Sequence, residues 1–308
     1  MSDPTELSIA AMITSRNRRD ELRTTLTRLV ESQPPPDQIL VCADGCTDGT
    51  GEMIRQEFPR CVLIEDETSR GSVYSRDQLL RKAQTDLVAS FDDDSYPLDP
   101  DFFLRVTRLF ADHSEVAVFS FPEMRDGGSF ANPSKTPNTP PHLVSAYANC
   151  AAVMRRDVYL ESDGFPAFFG HMYEEPDFAL QCYSLGREVR FEPSLSVRHH
   201  VSEKQREPMK RHHLNARNEL WSVWLRCPWP WLPLVSLYRV WRQFRYACTE
   251  GIAWVLREPV WWIAALGGFA TCLNQRKPIS WKIYDRWMRL ARMVPLITQS
   301  TNRSGTAE

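Results

Sequence analysis

One stretch constrains this chain more than any other: Ser90-Phe91-Asp92-Asp93-Asp94-Ser95. The residues leading into it, Leu87 to Phe91, are an apolar run of strand length. Asp99-Pro100 follows and reads as a helix start, with Asp as N-cap and Pro at the first helical position. Three carboxylates therefore fall in the loop between a strand and a helix. In an open α/β sheet that edge is where ligands bind. Adjacent like charges repel unless a positive group sits among them. An oxygen-rich cluster suits a hard cation such as Mg²⁺ or Mn²⁺, which also bridges phosphates. An isolated acidic triplet is more often a solvated turn; the strand ahead of it and the residues below favour a site.

The rest of the N-terminal half has a repeating layout. Leu7 to Ile13 reads as a strand, and Leu22, Leu26, Leu29 and Val30 then recur at helical spacing up to Pro34-Pro35-Pro36. Gln38 to Cys42 is a second strand, with a polar turn from Ala43 to Thr50 and a helix carrying Met53, Ile54 and Phe58. Cys61 to Ile64 is a third strand, and Arg70-Gly71 leads into a helix running to about Ala83. Strands alternating with helices imply βαβ units and a mainly parallel sheet. Right-handed crossovers put the loops after the strands on one edge. Thr14, Asp44 and Asp92 to Asp94 are expected to converge there. Further on, Val116 to Ser120, Ala148 to Met154 and Val189 to Phe191 are strand-like. Residues 126–142, rich in Gly, Pro, Ser and Asn, read as a mobile loop over a site or a disordered insertion. Glu174-Glu175-Pro176-Asp177 opens a helix that Gly186 closes, which sets carboxylates at a helix N-terminus.

Taken in order, these signals form a pattern: Thr14-Ser15-Arg16-Asn17-Arg18, Asp44 to Thr50, Arg76-Asp77, Phe91 to Asp94, Gly164-Phe165, Glu174 to Asp177, His199 and Arg217-Asn218. It resembles the inverting nucleotide-sugar glycosyltransferases of family 2 with a GT-A fold, over roughly residues 7–225. The resemblance implies an α/β fold: a mixed, mainly parallel nucleotide-binding sheet flanked by helices, with a helical C-terminal extension. It implies that Thr14 and Arg16 contact the nucleotide and that Asp44 lies near the base or ribose. Arg76 would approach the base or diphosphate, and Asp92 and Asp93 the donor. Asp94 would hold Mn²⁺ or Mg²⁺, His199 would help bind metal or diphosphate, and Glu175 would be the general base. The donor would be a UDP-, dTDP- or GDP-linked sugar, and the acceptor a hydroxyl of a saccharide or a lipid-linked carrier. The chain departs from the family pattern in four places. Ala43 stands where an acidic residue is usual, Glu175 where Asp is usual, Asp77 where Asn is common, and Gln181 where Arg is common. The second departure leaves Glu174 and Asp177 as rivals for the base.

Charge and aromatic content change together near residue 203. Residues 203–293 hold 16 Lys/Arg against 6 Asp/Glu, and residues 1–202 hold 20 against 32. All 10 Trp lie in the basic segment, from Trp221 to Trp287. The expected organisation is a catalytic domain over 1–202 and a helical extension over 203–308. Trp with Lys/Arg suits a membrane–water boundary, so the extension reads as a peripheral membrane contact. The other reading is a helical cap packed on the catalytic domain. No nucleic-acid motif is present, and the basic residues are spread among bulky apolar ones. The longest uncharged apolar run, Pro259 to Leu273, is shorter than the roughly 20 residues a spanning helix needs. The 8 Cys include no CxxC pair and read as a reduced set, and Met1 to Glu6 carries no apolar signal core. The expected location is cytoplasmic, at the inner face of the cell membrane. His212-His213 read as surface groups of a helix.

Two other functions share some of these features. A nucleotidyltransferase also uses an acidic metal site on an α/β domain, but it usually needs a Gly-rich phosphate loop, and Thr14 to Asp20 contains no Gly. A catalytically silent nucleotide-sugar or membrane-binding scaffold would keep the binding residues and lack turnover.

Overall fold

A computed structural model describes residues 7–200 and 207–292. The N-terminal stretch Met1 to Glu6 and the composition change at residue 203 lie outside the described residues. The chain opens with β1 (Ile9–Ser15), α1 (Arg19–Val30), β2 (Gln38–Asp44), α2 (Thr50–Glu57), β3 (Val62–Asp66), α3 (Ser72–Lys82) and β4 (Leu87–Asp92). It continues through β5 (Ser95–Pro97), α4 (Phe102–Asp112), β6 (Val116–Ser120), β7 (Glu123–Arg125), β8 (His142–Leu143), β9 (Ala152–Arg155) and α5 (Arg156–Glu161). Then come α6 (Glu174–Ser184), β10 (Glu188–Phe191) and β11 (Val197–His199). Six helices close the described chain: α7 (Pro208–Arg226), α8 (Leu232–Glu250), α9 (Ile252–Val255), α10 (Glu258–Gly267), α11 (Phe269–Asn274) and α12 (Trp281–Leu290).

Eight strands form one sheet in the order β3-β2-β1-β4-β9-β6-β10-β8. The pairs among β1 to β4 are parallel, as is β6 with β10, while β9 runs against both its neighbours and β8 against β10. This is the mainly parallel sheet that the alternation of strands and helices requires. Period-2 alternation in β1 sorts its side chains onto two cores. Ile9, Ala11 and Ile13 pack with Leu22, Leu26 and Leu29 of α1 and Phe102, Phe103 and Phe110 of α4. Ala10 and Met12 face the other way, against Val73 and Leu79 of α3 and Phe178 of α6. Burying each of these large side chains contributes roughly 1.5–3 kcal/mol.

Three local expectations need correction. The helix after the acidic triplet starts at Phe102 and not at Pro100; Asp99 instead meets Arg105 and the Ser196 N–H. The run from Ala148 splits into a 3₁₀ turn at Asn149–Ala151 and a strand from Ala152. Residues 126–142 are tied back to the fold: Met124 bridges Phe130, and the Lys135 ammonium donates to the Ala146 carbonyl at 3.1 Å.

A second, three-stranded sheet, β5-β11-β7, lies at the carboxyl edge of the first. Its register sets His199 opposite Ser95 and Arg125.

Residues after 207 share the core of the N-terminal half. Leu220, Trp221, Trp224 and Leu225 of α7 pack in the same cluster as Met12 and Phe178. The Trp221 indole N–H donates to the Ala265 carbonyl at 2.8 Å, and a Cβ on Gly268 would fall 2.3 Å from the Trp221 ring. Asp177 of α6 is buried and bound by Ser222 and Arg226 of α7. His212, expected at the surface, is buried; its Nε2 lies 2.7 Å from Glu258 of α10.

Candidate active site

The turn after β4 is built by short-range hydrogen bonds. The Ser95 hydroxyl accepts the Asp92 N–H at 2.8 Å and donates to the Cys150 carbonyl at 3.2 Å. The three carboxylates then go separate ways. Asp93 turns inward, accepting the Ser15 hydroxyl at 3.0 Å and pairing with Arg18 at 2.6 Å. Asp94 pairs with the other arm of the same guanidinium at 2.6 Å. Asp92, at the strand end, accepts from Arg76 at 2.6 Å.

His199 completes the cluster. Its Nε2 lies 3.1 Å from Asp94 Oδ1 and 3.9 Å from Asp92 Oδ2, and its Nδ1 lies 2.7 Å from Glu123 Oε1 of β7. The His200 N–H donates to the Asp94 carbonyl at 2.9 Å, locking β11 to the triplet. These contacts split the titrations. Burial pushes Asp93 up to about 7, with Arg18 opposing and its two acidic neighbours adding to the rise. Burial also penalises the Asp94 anion, but His199 and Arg18 outweigh it and hold the group down at about 2. His199 is raised despite its burial, because Asp94, Cys150 and Glu123 face it.

The donor set at this point fits a hard divalent cation. Asp92, Cys150 and His199 each bring one ligand atom within 4.8 Å of the others. Burial pushes the Cys150 thiol up to about 12, so it offers no thiolate at neutral pH. Asp94 lies beside this group, its buried Oδ1 3.1 Å from His199 Nε2, and offers a carboxylate in place of the thiol. Two carboxylates and an imidazole offer oxygen and nitrogen ligands, a set that suits a divalent cation.

Arg76 joins this cluster to the helix that carries the second group of carboxylates. It is buried between Asp92 and Glu174, the latter at 2.8 Å, and its two acidic partners hold it charged against the cost of burial. Glu174 is buried and also accepts the Asn149 amide at 3.1 Å. Glu175, the next residue, is half-buried, and its only hydrogen-bond partners among the described residues are backbone N–H groups, its own and that of Asn149. Burial and the neighbouring Glu174 charge push it up to about 8 against the pull of Arg76. A carboxyl with a value near neutrality and no side-chain donor of its own suits proton transfer. Of its two rivals, Asp177 is tied into α7 and Glu174 into Arg76 and Asn149.

The start of α6 is fixed by strained backbone. Met172 and Tyr173 both have φ of +73°, a conformation that L side chains rarely adopt. Asn218 of α7 holds them there, with its amide donating to the carbonyls of Phe169, His171 and Met172 at 3.2, 2.8 and 2.8 Å. On the other side, Gly71 at the start of α3 meets the same loop; a Cβ there would lie 2.3 Å from the Gly170 carbonyl.

The remaining expected residues sit at the same edge. Thr14, one residue before the end of β1, is in register with Asp92. Arg16 is exposed beyond it, with no ion pair among the described residues. Asp44 is buried, and its carboxylate accepts the Ser69 hydroxyl at 2.7 Å and the Arg70 and Gly71 N–H groups at 2.6 and 3.1 Å. It therefore organises the loop before α3 in this structure. Arg18, Glu123, Asn149 and Ser15 are site residues that sequence reasoning missed. For Arg18 a signal existed: three adjacent carboxylates call for a cation, and Arg18 lies four residues past Thr14 at the same edge.

Fold and site together define a GT-A glycosyltransferase: a nucleotide-binding sheet whose acidic edge faces a carboxylate at a helix start. The profile of glycosyl transferase family 2 matches residues 11–174, more than half of the chain, and the protein belongs to that family. Comparison with curated proteins by sequence returns no match. Among solved structures, the chain is similar to the mannosyltransferase PcManGT from Pyrobaculum calidifontis in complex with GDP-Man and Mn²⁺. That match has 16% identity and a TM-score of 0.59, covering 93% of this chain and 86% of that one. It is also similar to S. aureus TarS 1-349 in complex with UDP-GlcNAc, at 14% identity and a TM-score of 0.62, covering 87% of this chain and 82% of that one. A third is GalNAc-T7 with UDP, GalNAc and Mn²⁺, at 13% identity and a TM-score of 0.58, covering 72% of this chain and 49% of that one.

Proposed function

We propose that this protein is a metal-dependent, inverting glycosyltransferase that moves a sugar from a nucleoside diphosphate donor to an acceptor hydroxyl. The observation that carries the reading is the pairing of two carboxylate groups with different environments. Asp92 and Asp94 converge on His199, while Glu175 is held by no side-chain donor and is raised to about 8 by burial and the Glu174 charge. Asp92, Asp94 and His199 would hold Mn²⁺ or Mg²⁺. When bound, such an ion neutralises charge that builds on the departing diphosphate. The similar structures that carry GDP-Man, UDP or UDP-GlcNAc support a nucleotide-sugar donor.

The chain's own residues do the rest. Thr14, Arg16 and Asp44 edge the nucleotide side, with Asp93 beneath it buttressing Arg18. Arg76 holds Asp92 and Glu174 in place and leaves Glu175 free. The Glu175 carboxylate accepts the proton of the acceptor hydroxyl as its oxygen attacks the anomeric carbon. The C–O bond to the diphosphate breaks as the new glycosidic bond forms, and the leaving group departs as an anion. One base on the face opposite the leaving group gives inversion. The acceptor is a hydroxyl of a saccharide or a lipid-linked carrier, met by an enzyme working in the cytoplasm against the inner face of the membrane. The catalytic portion is residues 1–202, and the helices after 203 support it.

Transfer from a panel of UDP-, dTDP- and GDP-sugars in the presence of Mn²⁺ or Mg²⁺ tests this reading. Asp94→Ala is expected to abolish metal-stimulated turnover. Glu175→Gln is expected to lower kcat by about 10²–10⁴ while leaving the donor-induced thermal shift intact. Turnover that survives both substitutions would reject the site assignment.

A further inference from the structure

Among the described residues, 16 large apolar side chains are exposed, and 14 of these lie between Trp229 and Leu273. They follow helical spacing. In α8, Leu234, Leu237, Tyr238 and Trp241 point outward, while Leu232, Val235, Arg239, Gln243 and Ala247 form the buried stripe. Ile252 and Leu256, at and just after α9, are each 72% exposed. The outer side of α10 and α11 is mostly apolar, with Val260, Ile263 at 70%, Leu266, Phe269 and Leu273 exposed. No charged residue occurs from Pro259 to Leu273. A helix that is apolar on every side is normally buried, and an exposed apolar surface of this kind marks an interaction site.

Charge and position on the molecule identify the occupant. The exposed charged side chains of this segment are Arg242, Arg245 and Arg257 against Glu250; Arg242 is paired with the buried Glu219, which leaves Arg245 and Arg257 without an ion pair among the described residues. Arg245 stacks over the Trp241 ring at 4.8 Å, an amphipathic pair of the kind found at headgroup level. A second copy of the chain would set these arginines against one another, whereas an anionic surface neutralises them. No helix of the described residues is long and apolar enough to cross a membrane, so the contact is with a surface. Arg242 and Tyr246 also line a cavity of about 490 Å³ that reaches Met172, two residues before α6.

We propose that the outer face of α8 to α11 docks on an anionic lipid bilayer, with α10 lying in the plane of the interface. This deepens the reading of an enzyme that works against a membrane, but it is independent of the metal site and of the base.

The test uses the full chain and sedimentation with vesicles of phosphatidylcholine alone or phosphatidylcholine mixed with phosphatidylglycerol. The mixed vesicles are expected to bind the protein at least about tenfold more tightly, with the excess lost at high salt. Ile263→Asp with Leu266→Asp, and separately Leu237→Asp with Trp241→Asp, are each expected to weaken binding at least about tenfold. Both pairs are expected to keep the thermal shift given by nucleoside diphosphate and Mn²⁺, which separates lost docking from lost folding. Light scattering without lipid is expected to give the monomer mass. Protein that stays in the supernatant, equal binding to both vesicles, or a dimer that either double variant dissociates would overturn the proposal. None of these outcomes touches the glycosyltransferase reading, which the donor shift reports on its own.

Discussion

Arg18 neutralises Asp93 and Asp94 with one guanidinium, and the two carboxylates respond in opposite ways. Asp94 binds its proton more weakly in the folded protein than its ordinary value of 3.8, so it adds stability above that pH and loses it as the pH falls toward 2. Asp93 has the reverse sign. Its folded value is raised to about 7, so stability declines as the pH rises from about 4 to 7. Asp93→Asn is expected to flatten that decline, read as a smaller drop in Tm between pH 5 and 8 than in the unsubstituted protein. An equal drop in both would show that Asp93 does not titrate there. Glu175 gives a second pH signature. If Glu175 is the base, as proposed, it must be deprotonated to act, so kcat/KM is expected to rise with pH along a limb centred near 8 and to be flat in Glu175→Gln. The residue types at the edge were legible in the sequence because a buried strand delivers the acidic triplet to an edge where the other motif residues also fall. Their partners were not, since Arg18, Glu123 and Asn149 reach the site only through the fold. Asp44 shows the converse: its position was legible, but not its role in holding the 69–71 loop.

At the scale of elements, the site depends on three joints. The second sheet carries His199 to Asp94, Arg76 ties β4 to α6, and Asn218 of α7 pins the loop ahead of α6. Asn218→Ala would leave the Phe169, His171 and Met172 carbonyls without their donor and release two residues from positive φ. The expected cost is about 1–3 kcal/mol of stability. A larger effect is expected on kcat, at least about tenfold, with the donor Kd nearly unchanged, because the base is displaced and the nucleotide edge is not. An equal loss in donor affinity would contradict this division. The parallel half of the sheet was readable because each strand is an apolar run followed by a helical period. The second sheet was not, because β5, β7 and β11 have three residues each and too few positions to show alternation. Pairing across distant segments, not propensity, makes them strands.

Over the whole molecule, the basic Trp-rich segment does two jobs that composition alone could not separate. Trp221, Trp224, Trp261 and Trp287 are buried in the core shared with the sheet, while Trp229 and Trp241 face outward. A count of Trp and Arg predicts an interface, and only the packing shows which side is committed to the protein. The apolar outer face and the acidic edge are then separate surfaces of one enzyme, joined through α7 and the loop it holds. The claim on which this account rests is that Asp92, Asp94 and His199 hold the cation that carries the donor diphosphate. Anomalous diffraction at the manganese edge, from crystals soaked with Mn²⁺ and a nucleoside diphosphate, measures that directly. The account predicts a peak bound by Asp94 and His199 and by the diphosphate oxygens, with the Arg18 guanidinium moved off Asp94 or retained only on Asp93. A nucleotide bound with no peak at this cluster, or manganese held by other residues, would contradict it.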